Sequence, residues 1–205
     1  DLGIGKAFQA LAKSSATMLH INQFKGMGPR DINSHKGTYG RLLCVGGNHG
    51  TAGAIRLASE AALRSGAGMV RVYTHSSSVI QVSSGRPELM VTDSQLEEAL
   101  DWATCVVIGP GLGQDEWAQA SFETTLKHCQ SQNKPIVIDA DALNLLCKQS
   151  TAYTLSDSIL TPHSGEAARL LGVSIDDVEE YGFERFRFVN TGYMMVAKNL
   201  YAGIG

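Results

Sequence analysis

Between Lys134 and Gly172 the chain repeats one grammar twice. A short apolar run, Ile136-Val137-Ile138 and then Ile159-Leu160, ends in polar residues, and a helical pattern follows. Continuous apolar runs of this kind suit strands buried on both faces, as inside a parallel sheet. Ligands of such sheets bind beyond the carboxyl ends of the strands. Asp139, Asp141, Asn144, Thr161, His163 and Glu166 all fall at those ends. Turn chemistry explains part of this polarity but not all of it.

The same grammar runs upstream. Arg41 to Val45 reads as a strand, Gly46 to Gly53 as a glycine-rich loop, and Met69 to Tyr73 as the next strand. Between them Ala54, Leu57, Ala58, Ala61 and Ala62 recur at helical spacing, which predicts a helix laying those small side chains against the sheet. Gly66 and Gly68 end it. Cys105 to Ile108 is a further buried strand, closed by Gly109-Pro110-Gly111-Leu112-Gly113. Strands are expected near 41–45, 69–73, 104–108, 135–139 and 158–161. Ser94-Gln95-Leu96-Glu97 reads as a capping box opening a helix to Trp102. Residues 114–132 read as an outer helix with Trp117, Phe122 and Leu126 toward the core. Gly172 fits a helix end, and Ser174-Ile175-Asp176-Asp177 can cap another helix. Residues 76–92 are Ser-rich and carry no predicted element; Arg86 and Glu88 read as solvated.

The chain has 205 residues, 43% hydrophobic and 18% charged, with net charge −3. That is one soluble domain with a substantial core. The balance offers no electrostatic case for nucleic acid or a membrane surface, and no apolar run is long enough to span a bilayer. Cys44, Cys105, Cys129 and Cys147 lack metal or redox spacing, so buried, reduced thiols in a cytoplasmic protein are expected.

Glycine-rich loops opening helices can hold phosphate on backbone amides. The loop at Gly46 has neither dinucleotide-fingerprint nor Walker spacing, so the turn alone explains it equally well. On a strand, Asp139 and Asp141 would share a face; Asp141 is instead expected to be a helix N-cap. His163-x-x-Glu166 is not a zinc-protease pattern, no metal site is expected, and no Ser or Cys sits in a nucleophile elbow.

Together, His35-Lys36-Gly37-Thr38-Tyr39-Gly40, Gly53-Ala54, Gly66-Ala67-Gly68, Pro87-Glu88-Leu89-Met90, the Gly109–Gly113 loop, Asp139-Ala140-Asp141-Ala142-Leu143-Asn144 and Thr161-Pro162-His163-x-x-Glu166 closely resemble the NAD(P)H-hydrate dehydratase family. The resemblance runs from about His35 to Val178. It implies an α/β ribokinase-like fold: a central, mainly parallel sheet flanked by helices, incomplete at its C-terminus. It implies residues 1–33 as a linker or tail of a preceding epimerase-like domain (Asp1-Leu2-Gly3-Ile4-Gly5 looks like such a tail), 34–178 as a partial dehydratase-like domain and 179–205 as a divergent tail.

The implied activity is nicotinamide nucleotide repair, in which hydrated NADH or NADPH loses water at the expense of ADP or ATP, with Mg2+ left open. Ala54, Gly111 and His163 would contact the hydrated dinucleotide, Asn144 and Glu166 would support the polar floor, and Asp139 is a weaker candidate. The partners implied are the dinucleotide, the nucleotide and further copies of the chain. The family continues with a Leu-Lys-Gly strand and a glycine-rich loop ending in the catalytic Asp. Tyr181 to Gly205 does not match either segment, so the 205-residue chain alone is expected to be nearly silent in catalysis. A dinucleotide-binding remnant and a related small-molecule kinase remain the alternatives at this point.

Overall fold

The structure, a computed structural model, describes residues 28–149, 153, 155, 157–181 and 193–195. Most of the lead-in expected at 1–33 therefore lies outside the described residues. Near the start of the described chain, Arg30 lies over the Tyr39 ring at 4.2 Å and donates to the Gly66 carbonyl at 2.8 Å, linking this segment to the turn before the first strand and the loop before the second.

Among the described residues seven strands form one sheet: β1 (Arg41–Val45), β2 (Met69–Tyr73), β3 (Leu89–Thr92), β4 (Cys105–Ile108), β5 (Ile136–Ile138), β6 (Ser158–Leu160) and β7 (Tyr193–Met195). Every pairing is parallel, and the strand order is β3-β2-β1-β4-β5-β6-β7. The helices are α1 (Ala52–Arg64), α2 (Val79–Ser83), α3 (Leu96–Trp102), α4 (Glu116–Gln132), α5 (Ala140–Cys147), α6 (Ser164–Leu171) and α7 (Ile175–Tyr181).

The expected strands are all present, with ends shifted by at most one or two residues. β3 and β7 are additions, and β7 falls within the 179–205 stretch expected to be a divergent tail. β3 is an outer-edge strand with Leu89 buried and Met90 exposed; its apolar run Leu89-Met90-Val91 has one β-branched residue, against three in Ile136–Ile138.

β1 is buried on both faces over its last three residues, whereas β2, β4, β5 and β6 alternate buried and half-buried residues. In β1, Leu43 and Val45 join one cluster with Val106, Ile108, Ile136, Ile138, Phe122 and Leu126. Cys44 joins the other, with Ile55, Val70, Val72, Val82 and Leu89. Phe122 and Leu126 reach the core as expected, and Trp117 packs against it while partly exposed.

Three local expectations are corrected. First, the buried stripe of α1 is Ile55 and Ser59, flanked by Ala52, Ala62 and Leu63. Ala54 and Ala61 are exposed and Leu57 is 72% exposed. Ser59 tolerates burial because its hydroxyl donates to the Ile55 carbonyl at 2.7 Å. An alanine-rich helix offers two apolar stripes, and Ile55 decides which one is buried, since it carries far more apolar area than any alanine.

Second, the capping box at Ser94 does not form. Gln95 is the N-cap of α3, left-handed at φ 59°, and makes no side-chain cap bond. Ser94 is taken instead by Thr92, whose hydroxyl donates to the Ser94 carbonyl at 3.0 Å. Third, the segment at 76–92 is not featureless, and Arg86 is not simply solvated. It holds α2 and β3, and Arg86 pairs with Glu60 at 3.3 Å.

Candidate active site at the carboxyl ends of the strands

The strand order reverses direction between β1 and β4. Connections leaving these two strands go to opposite faces of the sheet, which opens a crevice at their carboxyl ends. The loop after β1 and the loop after β4 meet there and bond directly. Gly47 N donates to the Pro110 carbonyl at 3.1 Å, and Asn48 N to the Gly111 carbonyl at 2.7 Å. The Thr51 hydroxyl donates to the same Gly111 carbonyl at 2.6 Å. Gly111 has φ +62°, and a Cβ there would sit 2.7 Å from the Thr51 carbonyl oxygen. Glycine is therefore required by both backbone conformation and close approach. Ala54 begins on the same wall, its N–H bonded to the Thr51 carbonyl at 3.1 Å.

Asn48 is the hub of this crevice and was missed by sequence reasoning. It is buried, and its amide donates to the Leu112 carbonyl and to both Asp115 carboxylate oxygens at 2.9–3.0 Å. Asp115 caps α4 by accepting from Ala118 N at 2.9 Å. An Asp just before a helical pattern is a readable cap signal, but its pairing with Asn48 is not. The Ala118 amide, and after it the Asn48 amide, hold the Asp115 carboxyl below the usual aspartate range.

A carboxyl with a lowered folded-state pKa stabilises the fold above its unfolded value of ~3.9, and that contribution disappears as pH falls through the lower folded value. Asp115→Asn is thus expected to have a lower urea midpoint than the parent at pH 6. The gap should close once the pH is taken well below ~3.9. An equal gap in acid would show that charge is not what matters at this cap.

A second group lies at the ends of β5 and β6. His163 is the N-cap of α6. Gly165 N donates to its Nδ1 at 3.0 Å, and Glu166 Oε2 accepts from His163 N at 2.9 Å, closing a capping box. That arrangement leaves Nε2 as the protonated nitrogen of a neutral ring, 3.4 Å from Glu166 Oε1. Glu166 is buried at 6% exposure, whereas the His163 side chain is 55% exposed. Thr161 donates to Asp139 Oδ1 at 2.8 Å. Asn144 is half-buried on α5, which packs beside α6.

The two carboxylates at β5 do not share a face, because the strand ends at Ile138. Asp139, not Asp141, occupies the N-cap position of α5, and it makes no side-chain cap bond. Ala140 between them has φ +47°. Asp141 lies in the first helical turn and accepts from Gly113 N at 2.9 Å. It ties the β4 loop to β5, joining the Ala54–Gly111 group to the Asp139–His163–Glu166 group. Among the described residues no group of three or more His, Cys, Asp or Glu side chains could hold a metal ion. No helix of the described chain is long and apolar enough to cross a membrane. The four cysteines are unpaired; Cys44 and Cys129 are buried, Cys105 is half-buried, and Cys147 is exposed, against expectation.

Comparison with known proteins gives one answer. Residues 42–193 match the family model described as NAD(P)H-hydrate dehydratase. The chain is 51% identical over 154 residues to the bifunctional NAD(P)H-hydrate repair enzyme of Escherichia coli, a match covering 74% of this chain and 29% of that protein. It is 38% identical over 177 residues to the ADP-dependent (S)-NAD(P)H-hydrate dehydratase of Streptococcus thermophilus, covering 83% and 63%. It superimposes on the ADP/ATP-dependent NAD(P)H-hydrate dehydratase of Bacillus subtilis, co-crystallised with ATP and Mg2+, with a TM-score of 0.68 and 30% identity, covering 84% and 62%. The chain thus spans about a third of the bifunctional enzymes it matches, at 29% and 38% of two of them. The parallel sheet, its ribokinase-like neighbours and the matched segment agree: this chain belongs to the NAD(P)H-hydrate dehydratase family.

Proposed function

We propose that this chain serves nicotinamide nucleotide repair, binding hydrated NADH or NADPH at the carboxyl ends of β1, β4, β5 and β6 for nucleotide-dependent dehydration. The observation that carries this reading is the bonded junction of the β1 and β4 loops at the switch point, within a segment matching the dehydratase family. In the reaction a phosphoryl group passes from ADP or ATP to the hydroxyl of the hydrated ring. The C–O bond then breaks with phosphate as leaving group, and a proton departs from the adjacent carbon. The products are NAD(P)H, phosphate and AMP or ADP. Hydroxide is a poor leaving group and phosphate a good one, which explains a kinase-like architecture in a lyase. In the Bacillus subtilis relative ATP comes with Mg2+. Among the described residues no group of three or more His, Cys, Asp or Glu side chains could hold a metal ion.

In this reading Gly111 and Ala54 form one wall, with Gly111 letting the ligand approach the backbone. His163 presents its exposed ring on the other side, held by Gly165 N and Glu166. Asp139 and Asn144 complete the floor. Residues 34–178 form the dehydratase-like unit, with 1–33 as its lead-in and 179–205 as its tail. Four unpaired thiols favour a reducing, cytoplasmic setting.

The test is binding of hydrated NADH to the 205-residue chain by calorimetry; turnover on adding ADP or ATP, read as the return of NADH absorbance, is expected to be close to nil for this chain alone. His163→Asn keeps a side-chain acceptor for Gly165 N, so the thermal midpoint should stay close to that of the parent. Losing the ring should weaken hydrate binding roughly tenfold, the scale of one good polar contact. Unchanged affinity removes His163 from the site, and no hydrate binding by the parent chain removes the reading.

A further inference from the structure

Beside the rim, α5, α6 and the loop after β4 enclose an open cleft of about 510 Å³, lined by Gln114, Asn144, Cys147, Lys148 and Arg169. Of the residues assigned to the dinucleotide site, only Asn144 reaches it. Lys148 is the C-cap of α5 and Arg169 lies in the last turn of α6. A cation at a helix C-terminus complements the helix dipole, which explains each residue singly. It does not explain why both converge, with two side-chain amides, on one hollow.

The lining holds two cations and no carboxylate. Among the described residues Lys148 Nζ donates to a neutral oxygen, Gln114 Oε1, at 2.6 Å, and neither Lys148 nor Arg169 enters an ion pair. Glu166, bonded to His163 N, also acts on the Cys147 thiol, but less strongly than Arg169 does. Two cations from different helices, with two amide groups able to donate, match a group with several acceptor oxygens and more than one negative charge. Arg supplies a planar fork and Lys a point charge, the pairing that phosphate recognition uses. The volume lies within the ~300–1,000 Å³ of small-molecule sites.

We propose that the Lys148–Arg169 cleft is a subsite for a phosphate or pyrophosphate group. Assigning that group to a nucleotide rests on the dehydratase reading; affinity for the group itself does not.

Cys147 makes the test direct, because its thiol lines the cleft. Burial pushes the Cys44 thiol up to about 11 and the Cys129 thiol up to about 12. Burial also raises Cys105 and Cys147, but at Cys147 the Arg169 charge opposes it. As the exposed thiol of the four, Cys147 should be alkylated fastest. Iodoacetamide labelling of the 205-residue chain is followed by peptide mass, with inorganic pyrophosphate, ADP, hydrated NADH or hydrated NADPH added at constant ionic strength. Labelling with and without each ligand is compared within each variant, because Arg169 itself acts on the thiol.

Pyrophosphate is expected to slow Cys147 labelling about tenfold when present at about ten times its Kd. Lys148→Ala and Arg169→Ala should each raise the concentration needed about tenfold, and Arg169→Glu should remove protection. Both positions are exposed, and unchanged thermal unfolding verifies that the variants fold. Where pyrophosphate protects, protection by ADP but by neither hydrate assigns the cleft to the phosphate donor. Protection by hydrated NADPH but not hydrated NADH assigns it to the extra ribose phosphate. Failure of pyrophosphate to protect, or protection that survives Arg169→Glu, overturns the subsite. Hydrate binding without pyrophosphate protection sinks the subsite and leaves the dehydratase reading standing. Pyrophosphate protection without hydrate binding does the reverse.

Discussion

A Gly109→Ala chain is expected to unfold about 10 °C below the parent, corresponding to roughly 3–4 kcal/mol at ~2–4 °C per kcal/mol for a chain of this size. Gly109 follows β4 directly and has φ +125°. A Cβ there would lie 1.7 Å from the Asp139 carbonyl oxygen and 2.7 Å from its carbon. Neither strand end can step aside without losing a bond. Gly109 N donates to the Val45 carbonyl at 3.1 Å, and Asp139 N to the Ile108 carbonyl at 2.9 Å. Backbone strain and a backbone clash therefore add. Gly53 is the control. It lies inside α1, where a Cβ would meet nothing within 4 Å, so Gly53→Ala should be neutral or stabilising by up to ~1 kcal/mol. Thermal unfolding of both variants by circular dichroism decides the matter. A Gly109→Ala midpoint within about 2 °C of the parent would mean that β4 and β5 do not end against each other as described.

Two residues on α1, one step apart in chemistry and two in sequence, should behave very differently. Ile55→Ala is expected to cost ~2–5 kcal/mol, because Ile55 is fully buried and its removal leaves a cavity beneath the sheet. Leu57→Ala should stay within ~0.5 kcal/mol of the parent, since Leu57 is 72% exposed. Ile55 also backs the switch-point loop: a Cβ on Gly47 would fall 2.3 Å from its Cγ2. Ile55→Ala should accordingly weaken hydrate binding as well as stability, and Leu57→Ala neither. Urea unfolding and calorimetry on both variants read the two effects separately. Equal destabilisation by the two substitutions would restore the alanine stripe as the buried face.

These two residues also show how far the sequence could be read. Strands such as Cys105–Ile108 were legible because the apolar run is continuous, with one face buried and the other half-buried. β3 was not, because its apolar run Leu89-Met90-Val91 has one β-branched residue, against three in Ile136–Ile138, and its edge position leaves Met90 exposed. The helix at 52–64 was legible as a helix but not in its rotation. Counting alanines favoured the outer face, while burial followed Ile55 and a self-satisfied Ser59. The candidate site shows the same limit. Gly111 and His163 were readable as loop residues at strand ends. The Asn48–Asp115 contact spans 67 positions, and parallel sheets bring such pairs together only through intervening helices. Nothing local marks that partnership, nor the convergence of Lys148 and Arg169.

Ala140 carries one further consequence. A non-glycine residue at φ +47° sits where an L side chain costs roughly 1–2 kcal/mol. The kink turns neighbouring carboxylates apart, so that Asp139 accepts from Thr161 after β6 and Asp141 from Gly113 after β4. Those acids cannot act as a proton-sharing dyad. Instead, three residues work as a tie-bar, one end gripping each neighbouring loop, with the alanine methyl narrowing the angles open to the bar. Relaxing that bend with Ala140→Gly would ease the backbone while letting the two halves of the rim shift independently, exchanging stiffness at the site for stability of the chain.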